Sequence, residues 1–188
     1  FPEDSVHPYT MERFEEPGFG SIQRPAKDFY GPLFQANQAL IFISSVGLAV
    51  REIAPHLRSK ATDPAVIVLD ELGQFVIPVL SGHIGGANDM AKKIAENLGS
   101  TPVITTATDA NGVFAVDEWA RHQNCAVLEP ERIKKVSGAL LAGRTVRFAS
   151  DWPIAGSPPA GLAEDAAAPE FALTLCPAGD ALQLVPRI

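Results

Sequence analysis

Eight consecutive residues, Ser81-Gly-His-Ile-Gly-Gly-Ala-Asn88, hold the densest set of reactive and ligand-binding groups in this chain. They follow an apolar run and precede a helical period, the place where open α/β sheets bind ligands. Gly82, Gly85 and Gly86 let a ligand approach the backbone, or serve a tight turn that needs their dihedrals. The N–H groups of the helix start, from Gly85 to Asn88, favour an anion. His83 carries an imidazole that exchanges protons near neutral pH, the alternative being a loop histidine bonded to backbone. The spacing Gly82-x-x-Gly85-Gly86 is not a dinucleotide fingerprint, and no Gly-Lys-Ser/Thr follows as a P-loop needs.

Three further turns carry polar groups. Thr105-Thr-Ala-Thr-Asp-Ala-Asn-Gly112 also lies between a strand and a helix. There Thr106 and Thr108 can bind polar substituents and Asp109 can orient a histidine or act as a base, although Thr, Asp and Asn also suit loops and caps. Ser44-Ser-Val-Gly-Leu-Ala-Val-Arg51 offers helix N–H groups and the Arg51 guanidinium to carboxylates, or an ordinary solvated arginine. In Lys60-Ala-Thr-Asp-Pro64, Lys60 and Asp63 are ligands or turn residues. His7, His56 and His122 have no comparable setting and read as surface or packing residues.

The elements that must position these groups alternate. Ala39-Leu-Ile-Phe-Ile-Ser44, Ala65-Val-Ile-Val-Leu-Asp70, Phe75-Val-Ile-Pro-Val-Leu80 and Thr101-Pro-Val-Ile-Thr-Thr106 are apolar runs of strand length, the first two matching strands buried on both faces. Pro78 lacks a ladder donor and marks the third as ending early or lying at an edge. Cys125–Leu128 and Thr145–Ala149 are two more strands. Ile84, Ala87, Ala91, Ile94, Ala95 and Leu98 recur at helical spacing up to Gly99, and a second helix runs from Glu129-Pro130 to Gly143. Asn111 can cap a third helix bearing Val116, Trp119 and Ala120; a fourth, from Val46, breaks at Pro55. The expectation is an α/β fold: a mainly parallel sheet flanked by helices, Rossmann- or flavodoxin-like, with a small strand-containing second unit. We expect an irregular acidic arm over 1–37, the α/β domain over 38–143, and the second unit over 144–188. That unit holds a Pro- and Ala-rich loop (156–169) and strands near Phe171–Leu175 and Ala181–Val185.

Composition narrows the classes. The 188 residues carry a net charge of −7, which disfavours a nucleic-acid backbone binder. The excess acid lies towards both ends, leaving a balanced middle where single charges can be placed. Two cysteines give neither metal-ligand spacing nor a disulfide framework, as in a reducing cytoplasm. The longest uncharged stretch is too polar and too broken for a membrane span. Phe1 rather than Met opens the chain, as when a natural start lies upstream.

Five strings occur here in the order they have in one family: Ser45-Val-Gly-Leu-Ala-Val-Arg51, Lys60-Ala-Thr-Asp-Pro-Ala-Val66, Leu80-Ser-Gly-His-Ile-Gly-Gly-Ala-Asn88, Val103-Ile-Thr-Thr-Ala-Thr-Asp109 and Val116-Asp-Glu-Trp-Ala120. The chain resembles the CbiG family, the cobalt-precorrin-5A hydrolases of cobalamin biosynthesis. Ile133–Val136, Leu140–Gly143 and Leu184–Arg187 are similar to its central region, so the resemblance spans about residues 38–188. Family members usually add an N-terminal strand and helix and often a C-terminal domain, so this chain reads as a fragment or a stand-alone version.

The resemblance implies hydrolysis of the δ-lactone of a cobalt corrinoid, with release of acetaldehyde and formation of cobalt-precorrin-5B. It implies no cofactor beyond the cobalt carried by the substrate, and no metal site on the protein. Its many carboxylates would be held by helix N-termini, Arg51, Lys60, and the polar groups of Ser81, Gly82, Gly85, Gly86, Asn88, Thr106 and Thr108. His83, oriented by Asp109, would activate water and later deprotonate the freed hydroxyl so that the carbon–carbon bond breaks. Backbone N–H groups of Gly85 and Gly86 would hold the oxyanion; Ser81 as nucleophile is the weaker option. The expected partners are this corrinoid, a C-terminal domain in the same or a separate chain, and a second copy as a homodimer, with no nucleic acid and no membrane. The competing readings are a corrinoid-binding module that needs the other domain for chemistry and, third, a nucleotide-dependent oxidoreductase.

Overall fold

A computed structural model describes residues 6–187 apart from 15 and 60. Strands β1 (Tyr9–Thr10) and β2 (Gly20–Ser21) pair with each other, and helix α1 (Ala26–Ala36) follows. The first main sheet contains β3 (Ala39–Ile43), β4 (Ala65–Leu69), β5 (Phe75–Leu80) and β6 (Thr101–Pro102), in that spatial order. Helix α2 (Val46–Ile53) connects β3 to β4, and α3 (Ala87–Leu98) connects β5 to β6. The short α4 (Ala107–Ala110) and α5 (Val116–His122) lead to the second sheet. Its elements are β7 (Cys125–Val127), α6 (Ile133–Leu141), β8 (Val146–Ser150), β9 (Leu162–Glu164), β10 (Phe171–Leu173) and β11 (Leu182–Pro186), with strand order β7-β11-β10-β8-β9.

Parallel pairs predominate in both sheets, as the alternating pattern predicts. The departure that matters most is β4–β5, which is antiparallel. Residues 70–74 are too few for a parallel crossover, which takes about a dozen. They form a hairpin instead: the Asp70 carboxylate accepts from the N–H groups of Leu72 and Phe75, and Gly73 takes a left-handed φ of 65°. Pro78 sits beside a register shift opposite Val66 and Ile67, beyond the two residues of β5 that β6 reaches, so its missing donor interrupts no ladder.

The core explains the other differences. β4 is buried at all five positions because α1 and α2 cover one face and α3 the other. β3 is only half covered. Phe42 is buried against α1 and α2, while Ile43 is 71% exposed, because β3 is the outer strand and Ala87, Ala91 and Ala95 of α3 pack on β4 and β5. The supposed arm is helical from Ala26: Phe34 and Tyr30 find apolar partners on β3 and α2, and Pro32 is accommodated within α1. Cys125–Val127 pairs with β11 in the second sheet, and Val116, Ala120, Ile133, Val136 and Leu140 share one core with Val146, Phe148, Phe171, Leu182 and Leu184. The change of sheet thus falls before α5, earlier than the expected boundary at 143/144. Asn111 ends α4 rather than capping α5, and the loop over 156–169 contains β9.

Candidate functional site

The hairpin decides which strand tips meet. β5 and β6 end on the side where β4 begins, whereas β3 ends on the opposite side. The His83 loop after β5 and the threonine-rich turn after β6 are therefore neighbours. Ser44–Arg51 lies at the far end of the sheet. The site that Arg51 and the His83 loop were expected to share therefore does not form, and Arg51 is no part of this one. Lys60 lies outside the described residues. Asp63, in the same turn, is a turn residue: its carboxylate accepts from the N–H groups of Arg58 and Ser59.

The loop from Ser81 to Asn88 folds back on itself. Ser81 adopts a φ of 56°, and its hydroxyl donates to the Asp63 carbonyl at 2.8 Å. The N–H groups of Gly86, Ala87 and Asn88 donate to the carbonyls of His83, Ser81 and Gly82. Gly86 therefore cannot offer its N–H to an oxyanion, and the start of α3 is not the open anion site its position suggests. The glycines serve packing. A Cβ on Gly85 would lie 2.5 Å from the Ser81 Cβ, and one on Gly82 would lie 2.7 Å from Asn88 Oδ1. Gly86 supplies the left-handed turn at φ 79° that opens α3.

This compact loop holds His83, 9% exposed, between two carboxylates. Its Nε2 lies 2.7 Å from Asp109 Oδ2 and its Nδ1 3.2 Å from Asp117 Oδ1. A carboxylate on each ring nitrogen requires both nitrogens to donate, which makes the ring an imidazolium. Burial works against that charge, but the hydrogen bonds and charges of Asp117 and Asp109 outweigh it and hold the pKa at about 9. Burial likewise pushes both carboxyls up, and bonding to His83 more than reverses this, leaving both below the usual range. Lys92 Nζ joins Asp109 Oδ1 at 3.1 Å and Glu118 Oε1 at 3.9 Å. His83, Asp109 and Glu118 bring ligand-type atoms within 4.8 Å of one another. Lys92 and the two ring protons already meet the charge there.

Asn88, 2% exposed, extends this network, donating through Nδ2 to Thr106 Oγ1 at 2.7 Å and to Asp109 Oδ2 at 3.1 Å. Thr108 Oγ1 lies 3.5 Å from His83 Nε2. A cavity of about 140 Å³ opens beside Asn88 and Thr106, lined also by Ser81, Gly82, Thr105 and the end of β5. That is below the roughly 300–1,000 Å³ of a drug-sized ligand site, so it suits one substituent of a large ligand rather than the whole.

Of the residues expected from sequence, Ser81, Gly82, His83, Gly85, Gly86, Asn88, Thr106, Thr108 and Asp109 come together. Asp117, Lys92 and Arg121 were not expected. Arg121 Nε donates to the His83 carbonyl at 3.0 Å, and its guanidinium also pairs with Asp89. A signal for Asp117 was available: on α5 it shares the inward face with Val116 and Ala120, and an inward carboxylate needs a partner. His83 also departs from expectation, since neither nitrogen has a free lone pair to take a proton from water.

Two family models match consecutive stretches: cobalamin synthesis G N-terminal over residues 28–109 and the cobalamin biosynthesis central region over 114–177. The chain belongs to the CbiG family. The Salmonella typhimurium cobalt-precorrin-5A hydrolase is 41% identical over 133 residues, covering 71% of this chain and 38% of that protein. The Priestia megaterium cobalt-precorrin-5A hydrolase is 44% identical over 138 residues, covering 71% and 37%. This CbiG chain thus spans under two-fifths of the length of those relatives. The crystal structure of a cobalamin biosynthesis protein G homologue from Sulfolobus solfataricus aligns with a TM-score of 0.49 at 24% identity, covering 82% of this chain and 47% of that one. The two matched regions meet between α4 and α5, and the His83 ring bonds across that junction. No helix among the described residues is long and apolar enough to cross a membrane.

Proposed function

We propose that this CbiG chain acts on cobalt-precorrin-5A, as part of a cytoplasmic hydrolase that opens the δ-lactone and releases acetaldehyde to give cobalt-precorrin-5B. What carries this reading is the 41% and 44% identity to two cobalt-precorrin-5A hydrolases over most of the chain. The cavity suits it: Ser81, Thr105 and Thr106 are among the residues that line a space for one acetate- or propionate-sized substituent of the corrinoid. Cobalt arrives with the substrate, and the chemistry proposed draws on no other cofactor.

The site favours a second reading. Among the described residues that line the cavity or belong to the Asn88–Asp109–His83 network behind it, no side chain is an unengaged base. His83 donates from both nitrogens, Asp109 is held by His83, Lys92 and Asn88, and the Ser81 hydroxyl donates to a carbonyl. That arrangement binds and orients. It supports a corrinoid-binding module completed by a C-terminal domain, in the same or a separate chain. His83 and Asp109 then hold the binding surface together instead of activating water.

One experiment separates the readings. The purified chain is mixed with cobalt-precorrin-5A, binding is read from the corrinoid absorbance, and acetaldehyde is assayed by coupled reduction. Acetaldehyde formation supports the hydrolase reading for this chain. Binding without acetaldehyde supports the module. Neither binding nor acetaldehyde refutes both.

A further inference from the structure

We propose that Asp117 is a positioning residue for the cavity: acting through His83 and then Asp109, it fixes the Asn88 amide against Thr106. The inference deepens the proposed function, and it rests on that reading for the identity of what the cavity holds. The geometry itself does not depend on it.

Asp117 Oδ1 bonds His83 Nδ1, His83 Nε2 bonds Asp109 Oδ2, and that same oxygen accepts from Asn88 Nδ2, which also reaches Thr106 Oγ1. The path is continuous from α5 to the cavity wall, and its side chains are largely buried. A histidine held on one nitrogen can swing about its Cβ–Cγ bond. Held on both it cannot, so Asp117 fixes the orientation in which Nε2 meets Asp109. Asp109 in turn has one carboxylate oxygen on Lys92 and the other shared by His83 and Asn88. Released from His83, that carboxylate can rotate towards Lys92, and Asn88 loses one of its two acceptors.

Asp117 belongs to the central region, on the helix whose Val116 and Ala120 enter the second core, whereas the cavity belongs to the N-terminal region. The cavity's geometry is thus set partly from outside its own sheet. The other charged groups facing His83 are Glu118 on α5, within 4.8 Å, and Arg121, through the His83 carbonyl. Lys92 on α3 acts through Asp109, and Asp89 and His122 lie one ion pair beyond Arg121.

The test uses the chain without any corrinoid. The His83 ring, the Asn88 side-chain amide and the Thr106 backbone amide are followed by NMR as pH is raised, in the parent and in Asp117→Asn. Asn keeps an acceptor for Nδ1 but removes the charge. The His83 midpoint is expected to fall by about one unit or more. In the parent, the Asn88 and Thr106 resonances should move with the same midpoint as the ring, and Asp117→Asn should shift both resonances at neutral pH. In Asp117→Ala the displacement should be larger; if that variant does not fold, Asp117→Asn decides. Unchanged Asn88 and Thr106 resonances in folded Asp117→Asn, or parent resonances that ignore the His83 transition, would overturn the proposal. Because no corrinoid is present, failure here leaves the proposed function standing, and failure of the corrinoid assay leaves this network untouched.

Discussion

A raised histidine pKa is also a statement about stability. An unfolded histidine titrates near 6.5, whereas His83 in its carboxylate pair is held at about 9. The folded state therefore keeps a proton that the unfolded state releases between those values. The sign follows: the contribution is complete below about pH 6.5 and is lost as pH rises through about 9. The difference of about 2.5 units, at about 1.4 kcal/mol each, corresponds to about 3–4 kcal/mol. It is shared with Asp109 and Asp117 and counts once. His83 is buried enough for solvent and salt to screen this little. Urea unfolding at several pH values between 6 and 9.5 should show the parent losing stability steadily across this window. In His83→Gln that slope should vanish. Asp117, left buried without its partner, should make the variant gain stability as pH falls towards the carboxylate range. A parent whose unfolding free energy is flat from pH 6.5 to 9 would refute the doubly bonded imidazolium.

Gly85→Ala places a methyl group 2.5 Å from the Ser81 Cβ and 2.8 Å from its carbonyl oxygen, so the loop must shift; the expected loss is about 1–3 kcal/mol, read from the urea midpoint. Arg51→Ala should leave corrinoid affinity unchanged, because Arg51 lies at the other end of the sheet from the cavity. Thr106→Val removes an acceptor from the buried Asn88 amide and a hydrogen-bonding residue from the cavity lining, and should weaken binding by about tenfold or more, a lost hydrogen bond to a charged substituent costing about 1.5–3 kcal/mol. Equal affinities for the two variants by absorbance titration would show that the cavity is not where the corrinoid docks.

The layered α/β architecture was legible because period and length are local properties. The unbroken apolar run of β4 is buried on both faces, and the Ala87, Ala91, Ala95 stripe lies on the sheet. The pairing of His83 with Asp109 was legible because both follow strands that end on the same side. Strand direction is where the reading went astray. Three strand-to-helix turns look alike in sequence, and giving Arg51 and the His83 loop to one ligand requires every strand to run the same way. The contrary signal lay in the short Asp70-Glu-Leu-Gly-Gln74 connection, which cannot return a chain to the end from which it started. The glycines were misread for a related reason: residue type is the same whether a missing Cβ admits a ligand or a neighbouring side chain, and only the distances to Ser81 and Asn88 decide.

Asp117 was illegible as a partner because nothing local links it to a histidine 34 residues earlier, although its inward position on α5 required some cation. These points have one origin. The reversal at Gly73 turns the tips of β5 and β6 away from Arg51 and towards α5, so the turn that removes the guanidinium from the site also delivers Asp117 to the free face of the imidazole. A site built by that reversal takes its charge balance from the central region. The N-terminal region expressed alone would leave His83 with one carboxylate instead of two.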